Sequence, residues 1–159
     1  MRKIKFRVWD KINKSMHPKH GVLSEIRWDQ KNELSFIEIY EYIQINEEGD
    51  GDWDGFSKDK GEFELMQFTG LLDRNNKEIY EGDIVKAYSY YDEAESELND
   101  FTIHAVIWGD EYPAFDLEPL IYCECNALQL FANVQPNNEE IEIIGNIYEN
   151  PELLKKGIK

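Results

Sequence analysis

Asp50-Gly51-Asp52-Trp53-Asp54-Gly55 sets carboxylates at every second residue and closes on a glycine. This is how a calcium loop of the D-x-D-x-D-G type begins: alternate acids converge on a hard cation, and glycine permits the sharp turn. The pattern then breaks. The place of the bidentate glutamate falls on Gly61, with Glu62 one residue late, and an intermediate ligand place falls on Lys58, whose ammonium opposes a cation. The residues ahead of it read as a strand, where an EF-hand has a helix. Asp50, Asp52 and Asp54 therefore remain weak metal candidates inside what is expected to be a solvated acidic loop.

Cys123 and Cys125 flank Glu124 and would share one face of a strand, giving a soft metal two of the four ligands that structural zinc needs. His17 and His20 are the clustered histidines, and no spacing ties them to the cysteines, so two inert, partly buried thiols are the expected reading. His104 falls in an alternating segment and reads as a structural or surface residue. The chain carries no phosphate loop, nucleotide fingerprint, Gly-x-Ser-x-Gly elbow or His-Glu-x-x-His helix. With 33 acidic residues, some carboxylate pairs fall within reach by chance, and no acid/base pair can be nominated. No cofactor is expected.

Tyr88, Tyr90 and Tyr91 stand beside the acidic run 92–100, which opens on Asp92 and Glu93. Aromatic anchors within a charged rim are what protein interfaces commonly use, so these five residues are the candidate protein-binding surface; the alternative is that the tyrosines pack on the fold. The net charge of -16 excludes duplex nucleic acid as the main ligand, because phosphate binding draws on Lys and Arg that release counterions. Charge is uneven: residues 1–20 hold seven bases against one acid, net +6, and the remainder hold ten bases against 32 acids, net -22. The basic segment either solvates an edge strand or docks on acidic surface, in its own chain or a neighbour's. No apolar run approaches the roughly 20 residues of a membrane helix, and no signal peptide is read at the N-terminus. Two cysteines fit a reducing cytosol.

Several elements must position these residues. Residues 3–9 alternate, with Ile4, Phe6 and Val8 opposite Lys3, Lys5 and Arg7, the period of a half-buried strand. Strands are predicted over 22–28 and 35–45, joined by a polar turn at 29–32; Ile37, Ile39, Ile43 and Ile45 share a face that Glu41 interrupts. A loop rich in Asp and Gly over 47–61 separates an N-terminal sheet, 1–62, from a main domain, 63–159. The main domain is predicted to hold strands 64–68, 83–90, 101–108 and 140–147, with 120–134 a strand or a short helix. Its end is a helix: Asn150 can cap, Pro151 suits the first position, Glu152 complements the dipole, and Leu153 and Leu154 give apolar contact.

Residues 65–85 read as strand, tight turn, short return, second turn and strand. Asp73, Asn75 and Asn76 tolerate turn conformations, and Gly70, Gly82, Asp83 and, later, Gly145 read as structural turn residues. A Gly82-Asp83 reversal feeding Ile84 and Val85 is a way into a small, strongly bent barrel. This block includes Gln67-Phe68-Thr69-Gly70-Leu71 and Tyr80-Glu81-Gly82-Asp83-Ile84-Val85. Together with Phe6-Arg7-Val8-Trp9-Asp10 near the start and Ile144-Gly145-Asn146-Ile147-Tyr148-Glu149-Asn150-Pro151 near the end, it resembles the YopX family of phage and prophage proteins. The resemblance implies a β-rich fold with an SH3-like barrel and an origin in a bacteriophage or prophage, and carries no biochemical activity. Asn76 departs from the family, whose members usually place Gly there; Asn is the next best residue for that backbone region.

The expected protein is mainly β: an SH3-like small barrel with an N-terminal β extension and a short C-terminal helix. Its expected role is that of a phage accessory protein of the host bacterial cytoplasm, non-catalytic, binding an unknown host or phage protein, and free to self-associate. The alternatives are an acidic DNA mimic that occupies a host nucleic-acid-binding protein, and a metal-dependent enzyme using Asp50, Asp52 and Asp54. The charge generates one direct expectation. In an electrophoretic mobility assay at about 150 mM salt, duplex DNA should not shift at micromolar protein, and a clear shift would overturn the charge reasoning.

Overall fold

Alternation alone places the first strand, β1 (Phe6–Asp10), but burial of both its faces goes beyond it: Val8, Trp9 and Asp10 are all buried. The computed structural model describes residues 4–17, 21–31, 33–44, 51–88, 101–109, 114–118 and 141–156. Ile4, expected on the buried face with Val8, precedes the strand and is 70% exposed. β1 pairs antiparallel with β2 (Ser15–His17), a short strand across a turn at 11–14 that residue patterning does not announce. Asp10 folds that turn by accepting the N–H groups of Ile12 and Asn13.

β3 (Gly21–Trp28), β4 (Leu34–Gln44) and β5 (Gly51–Asp59) form an antiparallel three-stranded sheet in that order. The 29–32 turn is closed by Asp29, whose Oδ1 accepts the amides of Lys31 and Glu33. The β3–β4 ladder shifts register twice, between Leu23 and Glu25 and between Arg27 and Trp28. The β4–β5 ladder instead runs unbroken from Phe36 opposite Asp59 to Gln44 opposite Gly51, straight past Glu41. β5 therefore corrects the expected 47–61 loop: its Asp and Gly are poor strand formers, and pairing along β4 overrides that propensity.

β6 (Phe63–Leu72) and β7 (Glu78–Tyr80) complete a sheet of order β2-β1-β6-β7, β7 being the short return read in the sequence. β8 (Asp83–Tyr88), β9 (Phe101–Trp108), β10 (Phe115–Glu118) and β11 (Ile141–Asn146) form a sheet of order β10-β9-β8-β11. α1 (Glu152–Lys156) follows and packs on β9. The chain is mainly β, with a short C-terminal helix and curled antiparallel sheets of the small-barrel kind.

Two compact units divide the chain within β6: residues 5–66, and residues 67–159 with the first four. The first packs around Val8, Ile37, Ile39 and Phe63, flanked by Leu34, Phe56 and Leu65. The second packs around Val85, Val106, Leu117 and Ile141, one residue from each strand of the sheet β10-β9-β8-β11, together with Ile79 of β7. Among the described residues no helix is long and apolar enough to cross a membrane. The predicted segment 120–134 lies outside the described residues.

Gly82 makes the corner that feeds β8. Its φ is 79°, it is buried, its N–H donates to the Val106 carbonyl at 2.8 Å, and its own carbonyl accepts the Ile147 N–H at 2.9 Å. A β-carbon at that φ is strained and β-branching makes it worse. Gly82→Val should therefore lower stability by about 1–3 kcal/mol and reduce soluble yield. Asp52→Asn, at an exposed strand position, should stay within about 0.5 kcal/mol of the parent. Chemical denaturation of the two variants beside the parent checks both, and an unchanged Gly82→Val midpoint would remove the corner from the frame.

Candidate functional site

Buried polar side chains are where chemistry would first be sought, and here they are occupied in holding the chain. Asp73 is 1% exposed: Oδ1 accepts the N–H groups of Asn75 (2.8 Å) and Lys77 (2.9 Å), and Oδ2 accepts that of Ile143 (3.1 Å). Asn76 sits in this turn at φ 61°, the left-handed region that Asn tolerates better than other side-chain-bearing residues. Asp83, also buried, accepts the Tyr80 N–H at 2.8 Å across the Gly82 corner. Asn146 Oδ1 accepts from the amides of Tyr148 and Glu149, forming the turn that leads to α1. Gly145, expected at a turn, lies instead within β11; a β-carbon there would stand 2.6 Å from Asn150 Oδ1, so the glycine serves close approach. Gly70 lies in β6 at φ 93°, where the β6–β7 register shifts.

These corners, with the turn that Asp10 closes after β1, fall in or beside the three sequence blocks singled out above. The family model described as YopX protein matches residues 5–155. The chain belongs to the YopX family. A solved structure of similar fold, protein EF1440 from Enterococcus faecalis, is 27% identical, with a TM-score of 0.58 over 97% of this chain and 99% of that one. Among curated proteins nothing matches. The YopX blocks thus coincide with backbone corners fixed by buried Asp and Asn, which accounts for them by folding alone.

The residues nominated for chemistry do not converge. Asp52 and Asp54 lie on β5 as exposed, extended residues, so the strand lacks the wrapped backbone of a calcium loop; Asp50 lies outside the described residues. Among the described residues no group of three or more His, Cys, Asp or Glu could hold a metal. Lys58, which the loop reading set against a cation, donates to Asp10 Oδ2 at 2.9 Å instead. His17 stands on β2, its Nε2 2.7 Å from Ser15 Oγ and its ring edge-on to Phe56. His104, on β9, is buried with Nε2 2.6 Å from Thr102 Oγ1. Tyr88 ends β8; Tyr90, Tyr91, Asp92, Glu93, Cys123 and Cys125 lie outside the described residues.

One surface escaped the sequence reading. Ile37 and Ile39 of β4 face the core, so alternation turns Phe36, Glu38 and Tyr40 to the opposite face, and the register adds Trp53 of β5 to that face. Tyr40 is 38% exposed and Trp53 54%. The Tyr40 ring lies over Gly55 of β5, where a β-carbon would meet its Cε1 at 2.6 Å. Arg27 of β3 holds its guanidinium 4.5 Å above the Phe36 ring while donating to both Glu25 carboxylate oxygens at 2.7 and 2.8 Å. The sequence carries the signal: on the face away from its isoleucines β4 places Phe36 and Tyr40, with Glu38 between them.

The first unit carries a titratable link. Burial alone pushes the Asp10 carboxyl up, but the Asn13 amide, the Lys58 ammonium, the Asn13 side chain and the Ile12 amide outweigh it and hold its pKa at about 2. A depressed folded pKa contributes stability present above the unfolded value and lost as pH falls through the folded one. Asp10→Asn should therefore be less stable than the parent by about 2 kcal/mol or more at neutral pH, with the gap closing between about pH 4 and pH 2. Urea denaturation across that window is the measurement; a gap independent of pH would mean that the charge of Asp10 is not what binds β1 to β5.

Proposed function

We propose that this YopX-family chain is a phage- or prophage-encoded accessory protein that acts in the host bacterial cytoplasm as a non-catalytic protein-binding module. The observation that carries the reading is the outer face of the β3-β4-β5 sheet, where Tyr40 and Trp53 are exposed beside charged side chains on a sheet whose other face builds the core. Large aromatic groups amid polar neighbours supply rigid contact area at low entropic cost, the composition of interface anchors. The buried carboxylates support the same reading. Asp10, Asp73 and Asp83 bind backbone amides of their own chain, the role of structural groups.

A second reading has one observation in its favour. Asp52 and Asp54 stand in a row along β5 instead of clustering in a loop, the arrangement that mimicry of a phosphate array needs. The partner would then be a host nucleic-acid-binding protein.

Affinity capture from bacterial lysate tests both, Enterococcus faecalis being the source of the structural relative. The parent should retain a protein that the Tyr40→Ser/Trp53→Ser variant, folded alike by circular dichroism, retains at least about tenfold less. Identical capture by both would remove this face from the reading. Release of the captured protein by added duplex DNA would favour mimicry.

A further inference from the structure

We infer that the outward face of the Tyr40 ring seats an arginine side chain of a partner protein, its guanidinium stacked flat on the ring and drawn there by the charge of Glu38. This rests on the binding reading above and names the group by which the partner is recognised.

The ring is set by what lies beneath it. A β-carbon on Gly55 would stand 2.6 Å from Tyr40 Cε1 and 2.9 and 3.1 Å from the flanking ring atoms Cδ1 and Cζ. So small a spread puts that point over the face of the ring, because beyond an edge the flanking atoms would be much farther away than the nearest. Gly55, opposite Tyr40 in the ladder, thus lets the ring lie face-down on β5, a close approach that a side chain there would prevent. The other face of the ring turns away from the sheet, and Tyr40 is 38% exposed. Trp53 shares this side of the sheet at the diagonal position, within reach of a group seated on Tyr40.

Charge selects the occupant. By register Glu25, Glu38 and Asp59 belong to this face, against one base, Arg27, among the described residues. Rings set among carboxylates attract a cation and repel phosphate. The face already holds one cation in this manner: the Arg27 guanidinium lies 4.5 Å from the Phe36 ring centroid while it donates to both Glu25 oxygens. The Arg27 pKa is raised, first by Glu25 and also by the charge of Glu38, so the Glu38 field acts along the face. Tyr40 is four residues past Phe36, roughly 13 Å along the strand, with Glu38 midway. Arg27 is committed to the first ring, and the second takes its guanidinium from outside. A planar guanidinium can cover a ring and still fork to a carboxylate, which the ammonium of lysine cannot.

The test titrates the full chain, observed by nuclear magnetic resonance, with a synthetic peptide alternating arginine and serine. Two control peptides replace arginine by lysine, which keeps the charge, and by citrulline, which keeps the plane and loses the charge. The arginine peptide should bind and move the Tyr40 ring signals. Affinity should fall at least about fivefold with lysine, and at least about tenfold with citrulline or with Tyr40→Leu. Tyr40→Phe, which keeps the ring, should stay within about threefold of the parent, and Gly55→Val, which unseats the ring, should behave like Tyr40→Leu. Absence of binding, equal binding of the lysine or citrulline peptide, or indifference to Tyr40→Leu would overturn the inference. If lysate capture depends on Tyr40 and Trp53 but is not displaced by the arginine peptide, the arginine seat fails while the binding reading stands. Capture that is indifferent to Tyr40 and Trp53 would instead sink the binding reading itself.

Discussion

The Asp73 carboxylate is the tie on which the second unit depends. It organises its own turn through Asn75 and Lys77 and reaches Ile143 of β11, 70 residues away in sequence. The same turn adds three backbone bonds, Asp73 N–H to the Lys77 carbonyl, Asn76 N–H to the Asp73 carbonyl and Arg74 N–H to the Ile141 carbonyl. β11 therefore has β8 along one side and this turn along the other, which places Ile141 over Val85, Ala87 and Val106 in the core. A buried carboxylate is expensive to desolvate, and three backbone donors are what make its burial favourable.

The same device recurs wherever the backbone must turn sharply. Asp10 closes the β1–β2 turn and takes a further bond from Lys58 on another sheet of its unit, joining β1 to β5 in the way that Asp73 joins its turn to β11. Asp83 and Asn146 do the shorter-range work at either end of the Gly82 corner and the approach to α1. In a protein with a net charge of -16, then, part of the acidity is internal architecture and part, on β5, is surface.

Much of this was legible in the residues. The residue pattern places β1, β3, β4, β6, β8, β9 and β11, and the Gly82-Asp83 pair announces the reversal it makes. What was illegible was decided at long range. β5 has a loop's composition and becomes a strand because β4 offers it a complete ladder. Ser15–His17 pairs β1 only because Asp10 folds the intervening turn. That Asp10, Asp73 and Asp83 would be buried could not be read from their type, since a carboxylate in a turn looks alike whether it faces water or three amides. The aromatic face of the three-stranded sheet was visible as period-two spacing in β4, yet which of two apolar faces stays exposed depends on where Val8 and Phe63 pack.

The span of the Asp73 tie has a consequence for synthesis on the ribosome. Among the described residues, those that build the core of residues 5–66 all lie within that span, so that unit can close as soon as its last strand leaves the exit tunnel. The second unit cannot: its turn is made early, but the donor that anchors it, Ile143, emerges near the end of the matched region. Contacts of such separation carry a loop-closure cost and slow folding. During translation β8 would stand with one side open until β11 emerges at Ile141, a waiting period in which a nascent-chain chaperone has something to hold.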